Sequence, residues 1–226
     1  MKYTITGGNL QFANIELEPG EEFFSTAGAM KYMTGNMTME AKAKGGIGKS
    51  IGRLFTGASL FLVKYTANGG KGIVGIGGSA PGKILDLNIS EGKWIAQKTA
   101  YLGGEEGVNL EVAFQRKLGA ILFGGEGFIL QKLSGNGTAF LEACGDLIVV
   151  DLAPGQMYKV STSNAVAWQD TVKYDITSAG GIKTALFGGE GLFVTTLTGP
   201  GKIVIQSMTL SELASSLIPF LPSSSR

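Results

Sequence analysis

The chain contains no histidine. Ser-His-Asp triads, Cys-His dyads, the histidine-rich metal site of cupins and zinc sites of mixed Cys/His type therefore cannot be assembled within one chain. Any catalysis has to rest on carboxylates, lysine, tyrosine or Cys144. That cysteine is the only one, which rules out an intramolecular disulfide and fits a reducing compartment. No charge of one sign dominates either. Nineteen basic residues face eighteen acidic ones, and a net charge of +1 gives no broad attraction to phosphate backbones or anionic lipid. The start Met1-Lys2-Tyr3-Thr4-Ile5-Thr6 lacks the apolar core of a signal peptide, and no run reaches the ~18 apolar residues of a membrane helix. A cytoplasmic address is the expectation. Helical periodicity is also scarce.

What is abundant is glycine, with 36 residues and no collagen period, set among apolar segments in a chain that is 44% hydrophobic. Such a load points to many tight turns. At this length the fold buries about 70% of its unfolded surface or more, so a substantial core is available. The glycines mark a repeat. Leu122-Phe123-Gly124-Gly125-Glu126-Gly127 returns as Leu186-Phe187-Gly188-Gly189-Glu190-Gly191, and an eroded copy stands upstream at Leu54-Phe55-Thr56-Gly57-Ala58-Ser59. The period is about sixty-five residues. Corners at Pro19-Gly20, Glu91-Gly92 and Pro154-Gly155 follow the same period, the Pro-Gly pairs suiting the centre of a type II turn.

Each corner is followed by a segment read as a strand pair: around Ala29–Met33, around Trp94–Tyr101, and around Ala165–Trp168. Next comes an acid between apolar neighbours, at Glu40, Glu111 and Asp175, with the period-2 alternation of a half-buried strand. The box then leads into hairpins with Asn/Gly turn chemistry: Ser59–Tyr65 with Gly72–Ile76, Phe128–Leu133 with Thr138–Cys144, and Leu192–Leu197 with Lys202–Gln206. The expected fold is all-β, three pseudo-repeated units of barrel or sandwich type within one compact domain. The units span about 1–80, 81–145 and 146–208, with a tail over 209–226. A short helix is expected over Gly46–Arg53. Another opens at the capping box Thr209-Leu210-Ser211-Glu212, where Leu210, Leu213, Ala214, Leu217 and Ile218 form an apolar stripe expected to dock on the protein's own barrel, with a partner or membrane surface as the alternative. Pro219 stops it, and Ser223–Arg226 reads as a frayed tail.

The run from Lys44 through Gly45-Gly46-Ile47-Gly48-Lys49-Ser50-Ile51-Gly52-Arg53 to the first box, taken with the two later Phe-Gly-Gly-Glu-Gly boxes, resembles the altered-inheritance-of-mitochondria family. The resemblance spans nearly the whole chain. It implies a fold of double-stranded β-helix type, similar to the tryptophan RNA-binding attenuation protein, with three related β-units. That family is largely a domain of unknown function, so the resemblance speaks to fold and leaves activity open. One departure is Thr56-Gly57-Ala58-Ser59, where members often carry Gly-Gly-Glu-Ser. If the glutamate binds something, the first unit binds it poorly.

Gly48-Lys49-Ser50 suggests a phosphate-binding loop, but the first position of that pattern is Ala43 and no strand and long helix bracket it. The Phe-Gly-Gly-Glu-Gly box is explained by backbone freedom at glycine and a core phenylalanine, with Glu126 and Glu190 pointing outward. Alternatively those two glutamates line a shared binding surface. The in-register acids Glu40, Glu111 and Asp175 either lie on solvated strand faces or converge near a pseudo-threefold axis, where clustered carboxylates would bind a hard cation. Trp94 and Trp168 alternate with aliphatic residues, which favours core packing over base stacking, and Cys144 reads as a buried, inert thiol.

The function expected is non-catalytic binding or scaffolding, without a cofactor or metal. Its partner is another protein or further copies of the chain, with a weak peripheral contact through the C-terminal helix. RNA or single-stranded nucleic-acid binding by fold analogy is one alternative, set back by the neutral charge. Carbohydrate or small-molecule binding is another. A carboxylate enzyme would need paired acids about 5 to 9 Å apart in a deep pocket.

Overall fold

The computed structural model describes residues 1–43, 61–116, 128–178 and 193–221. All three Leu-Phe-Gly-Gly-type boxes lie outside these, and so do Glu126, Glu190, Gly48-Lys49-Ser50, the segment expected to be helical over 46–53 and the 223–226 tail. The chain is all-β, with nineteen strands among the described residues. They are β1 (Lys2–Thr6), β2 (Phe12–Leu17), β3 (Glu22–Thr26), β4 (Met30–Met33), β5 (Met37–Ala43), β6 (Phe61–Ala67) and β7 (Gly72–Gly77). Next come β8 (Gly82–Asn88), β9 (Trp94–Gln97), β10 (Tyr101–Glu105), β11 (Val108–Arg116), β12 (Phe128–Gly135) and β13 (Thr138–Cys144). The last are β14 (Leu147–Leu152), β15 (Met157–Ser161), β16 (Ala165–Gln169), β17 (Lys173–Ser178), β18 (Phe193–Thr198) and β19 (Gly201–Gln206), followed by helix α1 (Leu210–Leu217).

Among the described residues these strands form four antiparallel sheets, in the orders β1-β2-β7-β4, β5-β6-β3-β10-β13-β8, β11-β12-β9-β16-β19-β14 and β15-β18-β17. The orders carry a rule. From β2 onward, each group of six strands pairs its first, sixth and third strands together, and its fourth, fifth and second strands together. The two central sheets join half of one group to half of the next, through β3 with β10 and β9 with β16.

Three apolar cores fill the spaces between the sheets. Ala13, Ile15, Leu17, Val74 and Ile76 of the first sheet meet Phe23, Tyr65, Leu102 and Phe140 of the second. Phe24, Leu62, Tyr101 and Leu141 meet Trp94, Ala96, Leu133 and Val204 of the third. Ile95, Leu130, Trp168 and Ile203 meet Val160, Ile176 and Leu197 of the fourth. The sequence signature of each layer follows from this stacking. β2 alternates, with Ala13, Ile15 and Leu17 inward and Asn14 and Glu16 half-buried, because one face of its sheet is wet. β9 and β16 are buried on both faces and read as nearly unbroken apolar runs, Trp94-Ile95-Ala96 and Ala165-Val166-Ala167-Trp168.

Two expectations need correction. The stretch Trp94–Tyr101 is not a hairpin within one sheet: a 3₁₀ turn at Lys98–Ala100 carries the chain from β9 in the third sheet to β10 in the second. Helix α1 has the expected capping box, in which Thr209 Oγ1 accepts from the Glu212 amide at 3.1 Å and Glu212 Oε2 from the Thr209 amide at 2.6 Å. Yet α1 buries none of its residues. Leu210, Leu217, Ile218 and Phe220 all stand in solvent, so the stripe is not docked on the sheets.

Candidate functional site

The in-register acids occupy equivalent places on three different sheets. Glu40 on β5 lies opposite Lys64 of β6, Glu111 on β11 opposite Lys132 of β12, and Asp175 on β17 opposite Thr196 of β18. All three are exposed. Lys64 Nζ reaches Glu22 Oε1 at 2.7 Å and Glu40 Oε2 at 3.7 Å, and the hydrogen bond to Glu22 is the main cause holding its amine above the ordinary range. Lys132 bonds Asp170 at 2.8 Å. Cross-strand pairing thus accounts for Glu40, while Glu111 faces a lysine whose bond goes to Asp170. Among the described residues no group of three or more acidic or cysteine side chains is arranged to hold a metal ion.

Cys144 is buried, and burial pushes its thiol up. Trp94 and Trp168 are core residues, the latter packed against Tyr174 with ring centroids 5.1 Å apart.

A cavity of about 270 Å³ that sequence reasoning missed lies between the first and second sheets, lined by Phe12, Lys31, Gly78, Lys83, Ile84 and Glu142 among others. Glu142 Oε2 accepts from the Ser79 amide at 2.7 Å. Burial nevertheless holds the Glu142 carboxyl above its usual range, against the opposing pull of Ser79 and Lys31. Its signal in the sequence is an acid set inside the apolar run Phe140-Leu141-Glu142-Ala143.

Of the eight edge strands of the four sheets among the described residues, β4 and β15 stand apart, because their equivalents in the other six-strand groups, β10 and β16 for β4 and β3 and β9 for β15, are paired on both sides. Among the described residues β4 has no partner on its outer side and neither does β15. Both carry large apolar or aromatic side chains in solvent: Tyr32 is 45% exposed, Met157 56% and Tyr158 37%. The Tyr32 hydroxyl donates to Asn14 Oδ1, and its ring covers Gly75, where an added Cβ would come within 2.1 Å of it. The ring therefore lies along its own sheet and leaves the strand edge clear. Unpaired edges of this kind present a row of amide and carbonyl groups to any strand of matching register. No helix among the described residues is long and apolar enough to cross a membrane.

A family model described as "Mitochondrial biogenesis AIM24" matches residues 3–208. An uncharacterized protein of Streptococcus pyogenes serotype M6 is 30% identical over 235 residues, covering 100% of this chain and 93% of that protein. The crystal structure of a Streptococcus pyogenes protein superposes with a TM-score of 0.81 at 27% identity, covering 97% of this chain and 99% of that one.

Proposed function

From its place in the mitochondrial biogenesis AIM24 family, to which the chain belongs, we propose a non-catalytic scaffolding role exercised through surfaces that the fold leaves uncovered. The observation that carries this reading is that β4 and β15, whose equivalents in the other groups are paired on both sides, have one open side each among the described residues and carry exposed aromatic side chains. Main-chain groups at such an edge supply affinity by strand addition, and the alternate side chains select the partner. The in-register acids support the same reading, because they are spread over three sheets and two of them face lysines. The exposed apolar face of α1 is a second surface of the same kind. Native mass spectrometry of the gently purified protein tests the proposal. Masses at multiples of 23.5 kDa, or with a retained protein, are expected. Bare monomer at every concentration, together with a retained small molecule, would move the function to a ligand-binding pocket.

That second reading has one observation in its favour, the cavity beside Glu142, where a half-buried acid and the nearby lysines Lys31 and Lys83 would suit a small polar ligand such as a sugar. Loss of any retained adduct in Glu142→Gln would support it.

A further inference from the structure

The open sides of β4 and β15 match each other. Register shows this residue by residue. In β4, Met30 and Tyr32 face Ile76 and Gly75 across a one-residue bulge. In β10, Tyr101 and Gly103 face Leu141 and Phe140 across the same bulge, and in β16, Ala165 and Ala167 face Ile205 and Val204 across it. Tyr32, Gly103 and Ala167 are therefore equivalent, and so are Met33, Gly104 and Trp168. On the other side, Phe24 of β3 faces Lys64, Ile95 of β9 faces Lys132, and Lys159 of β15 faces Thr196. Lys64, Lys132 and Thr196 are themselves the partners of the three in-register acids, so Phe24, Ile95 and Lys159 are equivalent.

Within the chain the two internal joins use one register: Gly103 opposite Ser25 and Gly104 opposite Phe24 in the first, Ala167 opposite Ala96 and Trp168 opposite Ile95 in the second. A side chain at the end of the donating strand closes each join. Thr26 Oγ1 donates to the Leu102 carbonyl at 3.3 Å, and Gln97 Nε2 to the Ala165 carbonyl at 2.7 Å. The matching residue at the free end is Ser161, which also carries a donor. The bulge does not protect β4, since β10 and β16 carry it and are paired.

Resting on the scaffolding reading, we infer that β15 of one copy adds to β4 of a second copy of this chain, in the register Tyr32 opposite Val160, Met33 opposite Lys159 and Thr34 opposite Tyr158. The contact joins the β17-β18-β15 sheet of one copy to the β4-β7-β2-β1 sheet of the next. It repeats a third time the join already made twice inside the chain. Burial follows the same logic: Phe23 and Trp94, the equivalents of Tyr158, are 0% and 6% exposed where Tyr158 is 37% exposed. The contact is head-to-tail, using different surfaces on the two copies, so the assembly is a ring or an open filament and not an isologous dimer.

Cysteine pairing at Met33 and Lys159 tests the register. Residues directly opposite in antiparallel strands have Cα atoms about 4.5–5.5 Å apart, within disulfide range. With Cys144→Ala in the background, Met33→Cys protein is mixed with Lys159→Cys protein under mild oxidation after circular dichroism confirms that both are folded. A covalent heterodimer on non-reducing gels, formed at least tenfold faster than either variant forms homodimer, is the expected result. Separate chains carry the two thiols, so closure within one chain cannot produce the band. Absence of the heterodimer while native masses still show multimers overturns this register and leaves the scaffolding reading standing. Absence of both multimers and retained partners overturns the scaffolding reading as well.

Discussion

At the residue scale the stack is held by side chains that each serve one core. Trp168 is fully buried against Tyr174 in the core between the third and fourth sheets. Truncating it to alanine is expected to cost about 3–5 kcal/mol, read from the midpoint of urea unfolding. Glu111→Gln, on an exposed face, should change the same midpoint negligibly. Glu142 gives a pH test. Its carboxyl is raised in the folded state, chiefly by burial, so below the unfolded value of 4.5 both states hold the proton and the group contributes nothing to the pH dependence. As pH climbs from there through the folded value, the native state holds its proton more tightly and stability falls. Glu142→Gln removes that loss. The melting temperature of the variant should gain on the wild type as pH rises from 4 to 7, and a constant difference would show that Glu142 is not titrating in a buried setting. Tyr3, hydrogen-bonded to Asp86 at 2.7 Å, is pushed up to about 12 and stays neutral across this range.

At the element scale the joins between successive six-strand groups depend on close backbone approach. A Cβ at Gly103 would lie 2.8 Å from the Phe24 carbonyl and 2.8 Å from the Phe23 ring. Gly103→Val is therefore expected to destabilise by about 1–3 kcal/mol, through displaced strands and not through any loss of apolar burial, as measured by chemical denaturation. Helix α1 is the opposite case. Because it buries nothing, Leu217→Lys should leave the global melting temperature unchanged within error, which differential scanning calorimetry checks. Local signals in the sequence were good guides here. Gly20 and Gly155 take φ of +90° and +76° at the expected corners, and the capping box opens the helix where Thr209 and Glu212 stand. The 3₁₀ turn at Lys98–Ala100 was not legible, because Lys98-Thr99-Ala100 carries neither glycine nor proline and the switch of sheets is decided by burial on both sides. Undocking of α1 was not legible either, since an apolar stripe looks the same whether or not something covers it.

At the scale of the whole molecule, all-β character could be read from alternation and glycine turns, whereas the order of strands could not. Pairs such as β3 with β10 join residues some eighty positions apart, and nothing local distinguishes them from β15, whose second side has no partner among the described residues. The site fared similarly. Spacing revealed that Glu40, Glu111 and Asp175 are equivalent, but equivalence put them on separate sheets facing cross-strand neighbours. Glu126 and Glu190 lie outside the described residues. The central claim is that β4 and β15 are matching edges that meet between copies, and charge at Met33 and Lys159 tests it most directly. Like charges directly opposite on paired strands disfavour pairing by up to about 1 kcal/mol, roughly a fivefold change in an association constant. Sedimentation velocity should show wild-type protein associating with concentration, Met33→Lys associating several-fold more weakly because it faces Lys159 of the neighbour, and Met33→Lys combined with Lys159→Glu regaining or exceeding the wild-type level. Equal sedimentation of all three proteins, or failure of Lys159→Glu to restore association in a folded double variant, would contradict the account.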